Sequence, residues 1–219
     1  MTIPPSPAAW YATLAGRRTA RRLARVIAPV VRLGPTQRLL ALGYAPPVLA
    51  GLDPSRLERL TVLMPHSPLH RWPARGPNHA AAAHAHALPL PPNLCDQALL
   101  IHALDTADPA AILAEVWRIL APAGELLLIV PNRLGRLFAP TSPFSTGEAY
   151  SETELAAVLE TARFEVRSQH TALGRLAPRA RLALAVKTDG LAPTLVGRAE
   201  ALRAAPALGE FVTGGLVPA

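Results

Sequence analysis

The side chains able to do chemistry are few and scattered. His79, His84 and His86 fall within residues 78–87 (NHAAAAHAHA), and His102 follows a short apolar segment. On a strand, His84 and His86 would share one face, a spacing that can ligate a metal. No Asp, Glu or Cys stands near them, so the donors that would complete such a site are missing and no metal is expected. A histidine titrates near neutrality, which suits His102 to general-base work. The competing reading is a pocket or core histidine without chemistry. Cys95 is the single cysteine, which excludes an intrachain disulfide and a cysteine metal cluster. Ser142 and Ser151 lack a nucleophile-elbow context. There is no P-loop, and no carboxylate pair is spaced for glycoside hydrolysis or two-metal chemistry.

The elements that must position these groups centre on residues 93–133. Residues 97–102 are an apolar run of strand length. Asp108-Pro109 then opens a helix, with Asp as N-cap and Pro in the first turn. Ile112, Leu113, Val116, Trp117, Ile119 and Leu120 recur at helical spacing. Pro122 and Gly124 mark the helix stop, and residues 126–130 form a second apolar strand. Two continuous apolar strands joined by a helix predict a βαβ crossover in a parallel sheet buried on both faces.

Residues 8–32 predict one amphipathic helix. Arg17, Arg18, Arg21, Arg22 and Arg25 lie on one side, and Leu23, Val26, Ile27, Val30 and Val31 on the other. No acid precedes Asp53, so this face is either solvated or set against an anionic partner. Residues 37–42 (QRLLAL) predict strand one, with Gly43-Tyr44-Ala45-Pro46-Pro47 after it. Residues 57–65 predict strand two, ending Met64-Pro65. Residues 67–83 read as a loop. The connection 131–150 carries Arg133 and Arg136, which could hold an acidic substrate or be solvated. Ser151 and Glu154 form a capping box for a helix to about residue 163, and Leu155, Val158 and Leu159 face inward. Residues 164–171 and 180–188 predict a strand pair. Residues 196–203 predict a short helix, and 209–219 a tail or an arm that orders on a partner.

The run DQALLIHALD, then DPAAILAEVWRILAPAGELLLIVPNR, resembles the second half of a class I S-adenosylmethionine-dependent methyltransferase of the type 11 group. Ala123 replaces the first glycine of the helix-to-strand turn, and Asp105 stands where Glu is common. The resemblance covers about residues 35–188. It implies a three-layer α/β sandwich whose seven-stranded, mostly parallel sheet has an antiparallel last strand. It also implies S-adenosylmethionine as cofactor, held by Gly43, Tyr44, Ala45, Met64, His84, Ala85 and His102. His102 would then be the base or substrate orienter, and Asp105 could orient it or cap a helix. Trp10 and Tyr11 stand where the N-terminal helix of such enzymes closes over the cofactor. Several positions depart from the pattern. Only Gly43 remains of a glycine-rich loop that normally opens a helix. Ala41 replaces an acid that anchors the cofactor's amino group. Met64 ends strand two where a ribose-binding acid is usual. His84 takes the place of the Asp that contacts the adenine amino group.

The chain has 219 residues, half of them hydrophobic, with a formal charge of +7 and a pI near 10.9. The expected organisation is one domain over 1–219, with an N-terminal helix in 1–34, the α/β core in 35–188 and a C-terminal extension in 189–219. Lys187 is the sole lysine while Arg, Ala and Pro abound, which fits a GC-rich coding background. The basic charge therefore reads first as a solvated surface, and nucleic acid is the weaker expectation. No apolar run has the length of a membrane span, and a cytoplasmic protein is expected. Two functions follow. One is a methyltransferase acting on an unidentified small-molecule or protein substrate. The other is a catalytically inactive methyltransferase-like scaffold, working through a protein partner at the N-terminal helix or the C-terminal tail.

Overall fold

The computed structural model describes residues 6–64, 71–104, 108–133, 142–145, 147–173 and 180–188. Strands β1 (Gly34–Gly43), β2 (Leu57–Met64), β3 (Ala80–Ala82), β4 (Cys95–Ile101), β5 (Leu120–Pro131), β6 (Phe164–Ala172) and β7 (Ala180–Lys187) form one sheet. Their order is β3-β2-β1-β4-β5-β7-β6. The pairs from β3 to β5 are parallel, and β7 runs antiparallel to both β5 and β6. Only the last strand is therefore reversed, as the resemblance implies. The apolar runs lie where both faces are covered. Ala98–Ile101 and Leu126–Val130 are buried throughout.

Helix α2 (Leu14–Ile27) covers one face, packing Leu23, Val26 and Ile27 on Leu39, Ala41, Leu99 and Leu127. Helices α3 (Pro109–Ile119) and α4 (Glu152–Thr161) cover the other, packing Leu113, Val116, Leu155 and Leu159 on Leu40, Leu100 and Leu128. This is the three-layer sandwich. Asp108 caps α3 by accepting from Ala111 N–H, and Ser151 and Glu154 complete the capping box of α4.

Polar clamps tie the strands near the points where β4 and β5 begin. Asp96 Oδ2 accepts from Arg38 N and Nε at 2.9 and 3.0 Å, and Oδ1 from Nη2 at 2.9 Å, joining β1 to β4. Lys187 is buried at the end of β7. Its ammonium donates to Leu120 O at 2.7 Å and Asn93 Oδ1 at 3.2 Å, and lies 4.0 Å from the centre of the Trp117 ring. The Arg163 guanidinium lies over the same ring at 4.1 Å. A residue that reads as composition in the sequence is thus a tie between β7, β5 and α3.

Several local expectations need correction. The N-terminal helix is two helices, α1 (Pro7–Ala12) and α2, broken at an extended Thr13. Thr13 Oγ1 donates to Trp10 O at 2.7 Å and accepts from Gly16 N–H at 3.0 Å, ending one helix and starting the next. Gly16 lies so close to Trp10 that a Cβ would sit 2.1 Å from its carbonyl oxygen. α2 also ends at Ile27, although Val30 still packs in the core below it. α3 ends at Ile119, and Pro122-Ala123-Gly124 lie inside β5 rather than closing the helix. Register jumps from Cys95↔Leu120 to Gln97↔Glu125, so the strand bulges there. Residues 80–82, expected in a loop, form the edge strand β3. His84 and His86 occupy a turn bridged by His84 and Ala87, with rings 5.7 Å apart, so they share no strand face. Among the described residues no three potential ligands gather for a metal. The expected helix 196–203, the tail 209–219, Asp105 and Arg136 lie outside the described residues.

Candidate functional site

Strand order reverses between β1 and β4, because β2 lies beyond the first and β5 beyond the second. Open α/β sheets bind ligands at the carboxyl ends of strands around such a point. Gly43 ends β1 there with φ +90°, and a Cβ on it would lie 2.1 Å from Ile101 O and 3.2 Å from Ala103 Cβ. Only glycine allows the loop to press against β4 in this way. Tyr44 N–H donates to Ile101 O at 2.8 Å and secures the contact.

The rest of this loop departs from a cofactor cradle. Val48 and Leu49 N–H both donate to Ala45 O, at 2.9 and 3.1 Å, and Pro46 and Pro47 have no N–H. No α-helix follows. Residues 44–56 contain only the 3-10 turns Leu49–Gly51 and Pro54–Arg56. The helix that a glycine loop normally opens, with its outward N–H groups, is absent at this turn. Pro46 and Pro47 sit inside the turn that Ala45 O closes, where a missing N–H breaks no hydrogen bond but also leaves no donor for a ligand.

An aromatic cluster stands at the site. Tyr11, from α1, stacks on Tyr44 with centroids 5.8 Å apart and 20° between planes. Its hydroxyl lies 3.1 Å from His102 Nε2 in a buried contact. Trp10 meets the Tyr11 ring edge-on at 5.3 Å, and Phe144 packs on His102 at 4.6 Å. Burial raises the Tyr44 phenol above its ordinary pKa, so it stays protonated near neutrality. His102 is itself 5 % exposed and holds φ +54°, a left-handed conformation that costs a non-glycine residue about 1 kcal/mol or more. Cys95 is remote from reactive chemistry, because burial pushes its thiol up to about 11.

The structure brings Gly43, Tyr44 and His102 together. Ala45 follows them but turns into the core on the α2 side. Met64, His84 and Ala85 form a second group beside β2 and β3. Met64 is buried and accepts from Ala83 N–H at 3.1 Å, Ala85 is buried, and His84 is exposed. Arg133, considered for an acidic substrate, instead pairs with Glu154 Oε1 at 2.9 Å and donates to Ala149 O at 3.3 Å. The sequence did not mark Phe144 at all. It lies in a Pro-flanked connection with no periodicity, and only the fold carries it to His102. The resemblance put both Tyr11 and His102 beside the cofactor, but the hydrogen bond between them, across 91 residues, left no signal in the sequence.

S-adenosylmethionine has an amino-acid end, a ribose diol and an adenine. The site fits it in part. Gly43 gives the close loop, and His84 with Ala85 offers an acceptor beside a small side chain. Ala41 and Met64 offer no side-chain acceptor to the amino group or the diol.

Residues 52–128, about a third of the chain, match a model of the type 11 methyltransferase domain. The match begins after the glycine loop, where the pattern is most altered. No curated protein matches the sequence. Solved structures agree on the fold. A possible histamine N-methyltransferase from Thermotoga maritima is 18% identical, with 83% of this chain and 94% of that one covered and a TM-score of 0.62. A methyltransferase from Mesorhizobium loti is 16% identical over 77% and 98% of the two chains, with a TM-score of 0.61. A chain of the Haloferax volcanii complex between the Trm112 methyltransferase activator and a methyltransferase is 15% identical over 85% and 100%, also at 0.61. The chain thus has the class I S-adenosylmethionine-dependent methyltransferase fold and resembles the type 11 group within it.

Proposed function

We propose that this protein is an S-adenosylmethionine-dependent methyltransferase whose cofactor and acceptor meet at the carboxyl ends of β1, β2 and β4. The observation that carries the reading is Gly43, held at φ +90° against Ile101 at the switch point of the sheet. The residues that would hold the cofactor are Gly43, Tyr44, Ala45, Met64, His84, Ala85 and His102. The cofactor would supply the methyl group on a sulfonium, and His102 would take the proton that the acceptor releases. Aromatic faces attract a cation, so Tyr44 and its neighbours suit a sulfonium without a carboxylate. Each missing polar partner costs the ligand about 0.5–1.5 kcal/mol, a loss that binding can survive. Hydrogen exchange with and without S-adenosylhomocysteine tests the location. Slowed exchange is expected in 43–49 and 99–104, and protection confined to other segments would reject this site.

A second reading, a methyltransferase-like scaffold without catalysis, is favoured by the engaged and missing N–H donors of residues 44–49. Its working surface would be the arginine face of α2 or residues 189–219. The Haloferax volcanii structure, a complex with an activator, gives a precedent for partner binding on this fold.

A further inference from the structure

Tyr11 makes the contacts of a bound ligand. Its ring lies flat on Tyr44 and its hydroxyl meets His102 Nε2 at 3.1 Å, at the end of the sheet where ligands bind. The groups that receive it belong to the sheet scaffold. Tyr44 follows β1, fixed by the Ile101 carbonyl, and His102 follows β4, backed by Phe144. His102 also holds a left-handed conformation, and its ring packs against both Tyr11 and Phe144. Tyr11 does not belong to that scaffold. It comes from α1, six residues joined to α2 through the extended Thr13. A helix this short has little stability of its own and is held by its docked side chains, the Thr13 hydrogen bonds to Trp10 O and the close approach of Gly16.

We propose that Tyr11 occupies a subsite for the phenolic ring of a small-molecule substrate, and that a phenol takes its place when α1 turns away about Thr13. Tyr44 provides the stacking face and His102 the partner for the hydroxyl. The inference rests on the methyltransferase reading only for the use of this phenol as acceptor. The binding itself requires no cofactor.

The probe is 4-methylphenol, titrated into the full chain without cofactor. Binding is followed by the side-chain resonances of labelled histidine and by quenching of Trp10 fluorescence. Tyr11→Phe keeps the ring and removes the competing hydroxyl. It should bind the phenol roughly two- to tenfold more tightly than the wild type, the range expected for one hydrogen bond. The His102 resonance should move, Trp10 should become more accessible to quencher, and toluene should bind more weakly than 4-methylphenol. Equal or absent phenol binding in the folded wild type and Tyr11→Phe would overturn the proposal, as would binding that leaves His102 unmoved. Phenol binding without any affinity for S-adenosylmethionine would leave this subsite standing and remove the methyltransferase reading. The reverse result would do the opposite.

Discussion

Gly43 and Ala123 are two residues at which backbone conformation bears directly on stability. Any Cβ at Gly43 meets the carbonyl that Tyr44 needs for its hydrogen bond. Gly43→Ala should therefore lower the unfolding free energy by at least about 2 kcal/mol in urea titrations. A loss within experimental error would show that the loop is not pinned to β4. Ala123 gives the opposite case. It holds φ +57° in the bulge of β5, where the type 11 pattern has glycine. Ala123→Gly should raise stability by about 0.5–1 kcal/mol, since relief of the left-handed strain outweighs the added chain entropy. Both positions were legible in the sequence as single departures or survivals of a pattern. The Tyr11–His102–Phe144 contacts were not, because nothing local links residues that the fold gathers from α1, β4 and the connection after β5.

The elements were legible where one periodicity ruled. The strand of residues 97–102, the helix after Asp108 and the capping box at Ser151 lie close to where the pattern put them. Boundaries failed where tertiary contacts override local signals. Pro122 and Gly124 read as a helix stop, yet the sheet draws Leu120 into pairing with Cys95 and makes the same residues a bulge. Residues 8–32 read as one helix because the apolar spacing continues through Thr13, whose side-chain capping the spacing does not report. Between elements, the Arg38–Asp96 clamp gives a pH signature. Burial works to raise the Asp96 carboxyl, but the hydrogen bonds and charge of Arg38 prevail and hold it below the usual carboxylate range. A carboxyl lowered in the folded state contributes stability above its unfolded pKa of about 3.9. That contribution is lost as pH falls through the folded value. Asp96→Asn should be less stable than the wild type at pH 7, and the gap should close between about pH 5 and pH 2. Parallel stability curves over that window would show that the clamp carries no net electrostatic stabilisation.

At the scale of the whole molecule, sheet order, reversed last strand and two covered faces define the methyltransferase fold. Methyl transfer would depend on a loop that keeps one glycine, lacks its helix and carries Tyr44, with Ala41 and Met64 standing where acids are usual. The basic outer face of α2 adds a surface on the opposite side of that helix from the core. Among the described residues no helix is long and apolar enough to cross a membrane. Fold alone does not choose between an enzyme and a scaffold, so affinity for the cofactor decides. The measurement is calorimetric titration of the full chain with S-adenosylmethionine and S-adenosylhomocysteine. A dissociation constant in the micromolar range is predicted, weakened severalfold by His84→Ala, whose exposed side chain leaves the fold intact. No heat at millimolar ligand, with the protein shown to be folded, would contradict the methyltransferase account.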